Sequence, residues 1–473
     1  MELQEFLKYQ RVKENIYQGI KSNDIIYLKP SISSGINWLN PPNIYNELIL
    51  NEVKQNHFIK NYAPNDGYYV LLDAIKLYEN YKYNKAIQMC QLGNIGVSIT
   101  SGATAAISIL FNYIYTTNNN ANFLILGLSY YMFYFCLDRL NFNYSTIVSE
   151  EKGRIYPTIN EIEDYLSEKN IDYVILTTPQ NPSGEVYNEI EFDCLVKLLK
   201  INRIKLIIDI CQMDEFNSNG KYVNINAIAK NNHYDLEMII INSFSKTRSI
   251  PGARIGYIVA PKAIIEYVSS QNEYYYSNHA LLYITPIIID LLFRIYKLSL
   301  IFSNEISLLK LSNIFRKNIM YKLGLDLYQS LFKFIFTDIY SKYKSFSLEL
   351  ENNYQIFKYN KNYILLKLEN YIFDYTELQG GFNFCIKFKG LSKGNQVFIS
   401  EMISKNISSI ILPEYAFNGY YIEESSSPFW IRITVAIDVE TFKNIVDRLK
   451  LFLEQSSNKQ IEEMNALRKE NGT

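Results

Sequence analysis

The sequence predicts an α/β fold: a mostly parallel central sheet flanked by helices, with a smaller α+β domain beside it. Three observations carry this. Between about residues 97 and 261, short apolar runs bounded by turn residues alternate with stretches of helical apolar spacing, the pattern of βαβ units. After about residue 265 the pattern turns helical, and strand-like runs return only from about residue 361. With 473 residues, 48% of them hydrophobic, the chain has material for a large core and two domains.

The elements follow in order. Residues 1–60 read as an N-terminal arm with one or two helices, broken by Pro30, Pro41 and Pro42. A turn-rich loop at 61–68 leads into helical spacing at 70–78. Strands are expected at 97–100, 122–126, 173–177, 205–209, 237–241 and 256–259, with helices such as 104–115 and 189–199 between them. The apolar run 281–302 is broken by Asp290, Arg294 and Lys297, so it reads as a buried or amphipathic helix and not a membrane span. Runs at 363–368, 381–388 and 430–435 suit a smaller sheet, closed by a helix near 439–453. The expected division is 1–60 as arm and part of the small domain, 61–300 as large domain, 301–455 as small C-terminal domain, and 456–473 as a polar tail, either a frayed helix or disorder.

Composition excludes several function classes. A net charge of −1 gives no basis for binding nucleic acid or an anionic membrane. Cys90, Cys136, Cys194, Cys211 and Cys385 are scattered, which suits a reducing compartment and argues against disulfides or a zinc site. The start of the chain lacks an apolar signal core, so a cytoplasmic protein is expected. His57, His233 and His279 are too few and too dispersed to suggest a metal centre. The 41 tyrosines point to codon bias, so aromatic clusters carry little weight by themselves.

Chemistry-bearing segments sit just past the ends of the expected strands, where ligands bind in such sheets. Lys246 lies in Ser243-Phe244-Ser245-Lys246, with Arg254 eight residues on, beyond Pro251-Gly252. A lysine amine forms imines, and burial beside other cations lowers its pKa. The neighbouring hydroxyls and guanidinium are donors for a phosphate. Ser101-Gly102-Ala103-Thr104 places a small-residue turn at a helix start, with N–H groups and dipole suited to an anion or simply to capping. Thr178-Pro179-Gln180-Asn181-Pro182 fixes Asn181 between prolines, as a rigid donor or a plain turn. Asp209 ends the run Ile207-Ile208-Asp209, where a buried carboxylate needs a cation or donors.

In this order, S-G-A-T, T-P-Q-N-P-S-G, I-I-D and S-F-S-K-T-R-S-I-P-G-A-R-I-G-Y resemble the signature set of fold type I pyridoxal-phosphate enzymes. The nearest likeness is to the class I/II aminotransferases, over roughly residues 60 to 450. The resemblance implies that Lys246 binds the aldehyde of pyridoxal 5'-phosphate. It implies that Ser243, Ser245, Arg254 and the backbone of Gly102, Ala103 and Thr104 hold the phosphate, Asn181 donates to the ring hydroxyl oxygen, and Asp209 pairs with the ring nitrogen. Tyr130, with Tyr131 as the other candidate, falls where the family stacks an aromatic on the ring. Tyr62 matches a tyrosine that reaches a neighbouring subunit's cofactor, implying a homodimer with shared sites. Arg432, in Trp430-Ile431-Arg432, matches the arginine that clamps the substrate carboxylate.

Two positions depart from the family, and the first is Leu128, which replaces the proline usual before the stacking aromatic. The second, Gln212, stands where a tyrosine usually bonds the ring hydroxyl oxygen, and an amide supplies no titrating proton. The ordered motif set and Arg432 imply an aminotransferase acting on an amino acid and a 2-oxo acid, and Gln212 opens an alternative. The same cofactor run as a lyase, cyclase, decarboxylase or amino-acid oxidase is the alternative, and a non-catalytic cofactor-binding regulator the reading from a different class. The long stretch around 310–360 is expected to reshape the substrate entrance or a dimer surface. No metal is expected.

Overall fold

Apolar residues facing both ways along a strand demand cover on both sides, and the central strands meet that demand. In a computed structural model, residues 30–55, 64–85, 93–216, 222–275, 281–318, 337–418 and 427–455 are described. Seven strands form one sheet: β1 (Ile95–Thr100), β2 (Asn122–Leu126), β3 (Asn143–Ile147), β4 (Tyr173–Thr177), β5 (Lys205–Asp209), β6 (Met238–Ser243) and β7 (Gly256–Pro261). Their order is β1-β7-β6-β5-β4-β2-β3. Along β5 and β6, Leu206, Ile208, Met238 and Ile240 pack into one core layer. Ile207, Ile239 and Ile241 pack into the opposite one.

β7 alone runs antiparallel, wedged between β1 and β6. Its first residue, Gly256, lies opposite both Thr100 and Ser243. The carboxyl ends of β1 and β6 and the start of β7 therefore meet at one edge of the sheet. A Cβ on Gly256 would stand 2.6 Å from the Gly102 carbonyl carbon and 2.8 Å from the Ala103 nitrogen, so only glycine lets these backbones approach.

A second, antiparallel sheet has the order β10-β9-β8, from β8 (Ile372–Tyr375), β9 (Asn383–Ser392) and β10 (Pro428–Thr434). Helices Ile339–Lys367, Gln396–Ile407 and Val439–Gln455 share a core with it, and Ile32 joins that core from the N-terminal segment. Backbone bonds from Thr434 N to Ile32 O (2.5 Å) and from Ser33 N to Ile410 O (3.1 Å) tie this segment to β10 and its neighbourhood.

The structure corrects the expected strand at 363–368. That run is the end of the 29-residue helix Ile339–Lys367. A short apolar run does not separate strand from helix by its period, and here Ile364 is buried while Leu366 is 76% exposed. Two strands were not anticipated. β3 is a half-exposed edge strand with a weakly apolar sequence, and β8 is four residues long. The run 281–302 forms helix Ile284–Ile301, and two of the three charges that interrupt its sequence, Asp290 and Arg294, are themselves buried. No described helix is long and apolar enough to cross a membrane. The polar tail 456–473 lies outside the described residues.

Candidate active site

β6 delivers its last residue, Ser243, to the N-cap of the single helical turn Phe244–Thr247, and the Ser243 side chain accepts from Ser245 N. This turn holds Lys246 at the carboxyl end of the sheet. The Lys246 Nζ donates to Gly35 O at 2.8 Å, and Asn37 Nδ2 donates to the Lys246 carbonyl at 3.4 Å. Burial lowers the lysine pKa to about 8, and the Arg432 and Arg254 guanidiniums push the same way, against the opposing pull of Cys211 and Asp209. The result is an amine far more often neutral near physiological pH than an ordinary lysine.

Beside Lys246 the groups are arranged for an anion. Ser243 Oγ and Ser245 Oγ are 2.8 Å apart. Arg254, in a left-handed conformation (φ +52°) after the turn Pro251–Ala253, sends its Nη2 to Ser101 O at 3.2 Å. Helix Gly102–Thr117 begins against this guanidinium, and the Ser101 side chain makes no capping bond to it. A Cβ on Gly102 would come within 3.0 Å of Arg254 Nη2, so the bare glycine keeps this corner open. Helix start, guanidinium and two hydroxyls together make a phosphate-type cradle.

On the far side, Asp209 ends β5 almost wholly out of water. Burial raises its pKa, while bonds from Cys211, whose N–H donates to Oδ1 at 2.9 Å, and the Lys246 charge oppose the rise. A carboxylate so placed is served by a cationic donor. Gln212 follows, nearly buried, its Oε1 accepting from Asn383 Nδ2 at 3.1 Å.

Arg432 projects from β10 and is buried. Its Nε and Nη2 donate to Ser33 O at 3.1 and 2.5 Å, and its Nη1 to Asn181 Oδ1 at 3.0 Å. The guanidinium lies 4.7 Å from the centre of the Phe417 ring. Gly35 closes over it (φ +62°), and a Cβ there would stand 2.7 Å from the guanidinium carbon. The guanidinium plane is thereby fixed, as bidentate carboxylate recognition requires.

These groups line one cavity of about 280 Å³. Ala103, Thr104, Tyr130, Asn181, Asp209, Gln212, Ser243, Ser245, Lys246, Arg254 and Arg432 all contribute to its wall, and Gly102 stands behind Arg254. Tyr130 and Tyr131 both line it, edge to face at 4.6 Å between ring centres. Tyr62 lies outside the described residues. Sequence reasoning missed Ser34, Gly35, Ile36, Thr177, Cys211, Pro251, Leu412 and Phe417, which complete the wall. For the first three the available signal was the loop Ser33-Ser34-Gly35 after Pro30, small residues that permit close backbone approach.

An ion network anchors the two segments that supply Lys246 and Gln212. Arg248 Nε donates to both Asp290 oxygens at 3.0 Å and its Nη1 to Asp214 Oδ2 at 2.6 Å. Arg294 bonds Glu215 Oε2 at 2.7 Å, Asp290 Oδ2 at 3.3 Å and Thr247 Oγ1 at 2.9 Å. Asp290 and Arg294 come from helix Ile284–Ile301, so the charges that break its apolar run hold the site from behind.

Comparison with known proteins returns one family and a set of relatives. The family described as aminotransferase class I and II matches residues 37–298, more than half of the 473 residues. The chain is 27% identical over 226 residues to a probable N-acetyl-LL-diaminopimelate aminotransferase of Bacillus subtilis, covering 46% of this chain and 51% of that protein. It is 27% identical over 190 residues to an aspartate aminotransferase of Sulfolobus acidocaldarius, covering 40% and 44%. The chain thus spans about half the length of these curated relatives. Among solved structures, aspartate aminotransferase from Thermotoga maritima superposes with a TM-score of 0.62 at 19% identity, over 94% of this chain and 95% of that one. Aromatic aminotransferase from Pyrococcus horikoshii gives 0.65 at 15% identity, over 94% and 99%. At such identities the likeness is one of fold, and the fold is the expected fold type I architecture.

Proposed function

The chain belongs to the aminotransferase class I and II family, and from that membership we propose that it moves the amino group of an amino acid to a 2-oxo acid, using pyridoxal 5'-phosphate held around Lys246. The family is pyridoxal-phosphate-dependent. The observation that carries the reading for this chain is one cavity holding an amine with a pKa lowered to about 8, a buried carboxylate and two guanidiniums.

The residues present fit the cofactor. The open corner at Gly102, with Arg254, Ser243 and Ser245, suits its phosphate. Asp209 suits its ring nitrogen, and the pair Tyr130 and Tyr131 supplies a face for its ring. When bound, the cofactor supplies an aldehyde that captures amines and an electron-withdrawing ring that eases loss of the Cα proton.

The chain's own groups do the rest. Arg432, locked by Ser33 and Asn181, grips the substrate carboxylate and sets which Cα bond faces Lys246. Lys246 Nζ takes the Cα proton and returns it, as a base whose pKa lies near working pH. Ile36, Leu412 and Phe417 keep water from the cavity. The working unit in this reading is a homodimer.

Keto-acid formation from a panel of amino acids, with 2-oxoglutarate as acceptor, tests the proposal. Bound cofactor without amino-group transfer to any 2-oxo acid would overturn it. The pH response is part of the same test. The folded lysine pKa is depressed, so the neutral amine is scarce below about pH 8 and predominates above it. Capture of the cofactor by apoprotein should quicken as pH rises from about 7 to about 9 and then level off. A rate still climbing in proportion to hydroxide at about pH 10 would mean an ordinary lysine.

Gly35→Ala examines the carboxylate clamp. The added methyl meets the Arg432 guanidinium, and the left-handed backbone resists a side chain. The KM for the amino acid should rise about tenfold, with a smaller change in kcat, because ground-state and transition-state binding suffer alike. Steady-state kinetics at saturating cofactor measures it.

A further inference from the structure

Gln212 stands in the wall of the cavity, and which end of its carboxamide faces inward decides what it does to a bound group. Its neighbours settle that polarity. Gly35 N–H donates to Thr434 Oγ1 at 2.9 Å. A backbone N–H is only ever a donor, so the Thr434 hydroxyl accepts there. Thr434 is wholly buried, and its proton needs an acceptor. The one at hand is Asn383 Oδ1, at 2.8 Å. Asn383 is equally buried. With its oxygen turned to Thr434, its amide must face Gln212, and it donates to Gln212 Oε1 at 3.1 Å. That oxygen is further confined by Gly381, where a Cβ would lie 2.6 Å from it. Gln212 Nε2 is the remaining end, and among the described residues it has no partner.

From this chain of donors and acceptors we propose that Gly35, Thr434 and Asn383 form a polarity relay that makes Gln212 a fixed N–H donor into the cavity. The other polarity, with Gln212 presenting an acceptor, leaves the Thr434 hydroxyl proton without a partner in a place that excludes water. Resting on the functional reading above, the group that receives this donor is the ring hydroxyl oxygen of the cofactor. Gln212 then supplies a hydrogen bond without a titrating proton. Asn383 and Thr434 are positioning residues, acting only through Gln212. The relay also joins the second sheet, which carries Asn383 and Thr434, to the segment whose Gly35 carbonyl accepts from Lys246.

The experiment compares dissociation constants for pyridoxal 5'-phosphate and 3-deoxypyridoxal 5'-phosphate, which differ only in the ring oxygen. Four proteins are titrated by absorbance: wild type, Gln212→Leu, Asn383→Asp and Thr434→Ser. In Asn383→Asp the introduced carboxylate carries only acceptors when ionised, so it draws Gln212 Nε2 toward itself and turns Oε1 into the cavity. Wild type should favour the hydroxylated cofactor by a ratio that falls about tenfold or more in Gln212→Leu and Asn383→Asp, a change expected for a lost hydrogen bond to an ionised oxygen. Thr434→Ser keeps the hydroxyl and should keep the ratio.

A purely structural role would weaken both ligands equally and leave the ratio unmoved, which overturns the proposal. A Gln212→Leu ratio equal to that of wild type overturns it as well, while the functional reading stands. Wild type that binds neither ligand refutes the functional reading, and this proposal with it. If Asn383→Asp fails to fold, Thr434→Val serves in its place, with loss of the ratio expected and retention of it overturning the relay.

Discussion

Lys246→Ala is expected to cut the proposed amino-group transfer by at least about 10⁴-fold, because in that proposal one side chain both anchors the cofactor and moves the Cα proton. The fold should survive the change. Among the described residues the Lys246 amine has one direct hydrogen bond, to the Gly35 carbonyl, and burial beside Arg432 and Arg254 already works against its charge. Its removal takes away a repulsive cation, so thermal unfolding should be unchanged or slightly later. Lys246→Arg sharpens the test. Arginine keeps the charge but stays protonated and makes no imine, so it should fail as fully as alanine. Product formation with saturating amino acid and 2-oxo acid, beside a thermal melt of each protein, reads the outcome. An alanine variant that kept a tenth of wild-type turnover would remove Lys246 from the chemistry.

Arg248→Met should have the largest effect on stability, a loss of about 3–5 kcal/mol, since it leaves Asp214 and Asp290 short of a partner inside the protein. The methionine fills much of the volume, so the cost is mainly one of charge. Its pH dependence separates this from a packing defect. In the native protein burial pushes the Asp214 carboxyl up, but Arg248 and Arg294 more than offset this and hold it below the usual range. A carboxylate with a depressed folded pKa stabilises above its unfolded pKa, about 3.9, and that stability fades as pH falls through the folded value. Without Arg248 much of that depression is lost, so the variant gains less stability than wild type as pH rises. The gap between variant and wild type should therefore be widest near pH 7 and shrink toward pH 4. Adding Asp214→Asn should recover part of it. Urea denaturation at several pH values measures each point, and a gap independent of pH would locate the damage in packing.

The parts legible in the sequence share a physical cause. β5 and β6 are covered on both faces, so their apolar runs are unbroken, and the turns that follow carry the small and polar residues that a strand end beside a cavity requires. That is why Asp209, Ser243 and Lys246 were readable by position. The residues that were missed depend on contacts between distant parts of the chain. Nothing local to Gly35 announces that Arg432 and Lys246 will close on it. Asn383 and Thr434 likewise acquire meaning only when β9 and β10 pair and set them side by side. The misread run at 363–368 failed for a third reason. Its apolar residues fit a strand or a helix equally, and only its continuity with a long amphipathic helix decides between them.

The bond from Arg432 to the Ser33 carbonyl spans 399 positions of sequence. Synthesis at about 5–20 residues per second puts roughly 20–80 s between the two ends of that bond. The central sheet can pair during this interval, with Lys246 already in place at the end of β6. Yet Arg432, the carboxylate clamp of the proposed function, is missing until β10 emerges. In that reading, a nascent chain in this state has the amine meant for an aldehyde but not yet the guanidinium that selects its partners. Control over which molecules react would then arrive only with β10.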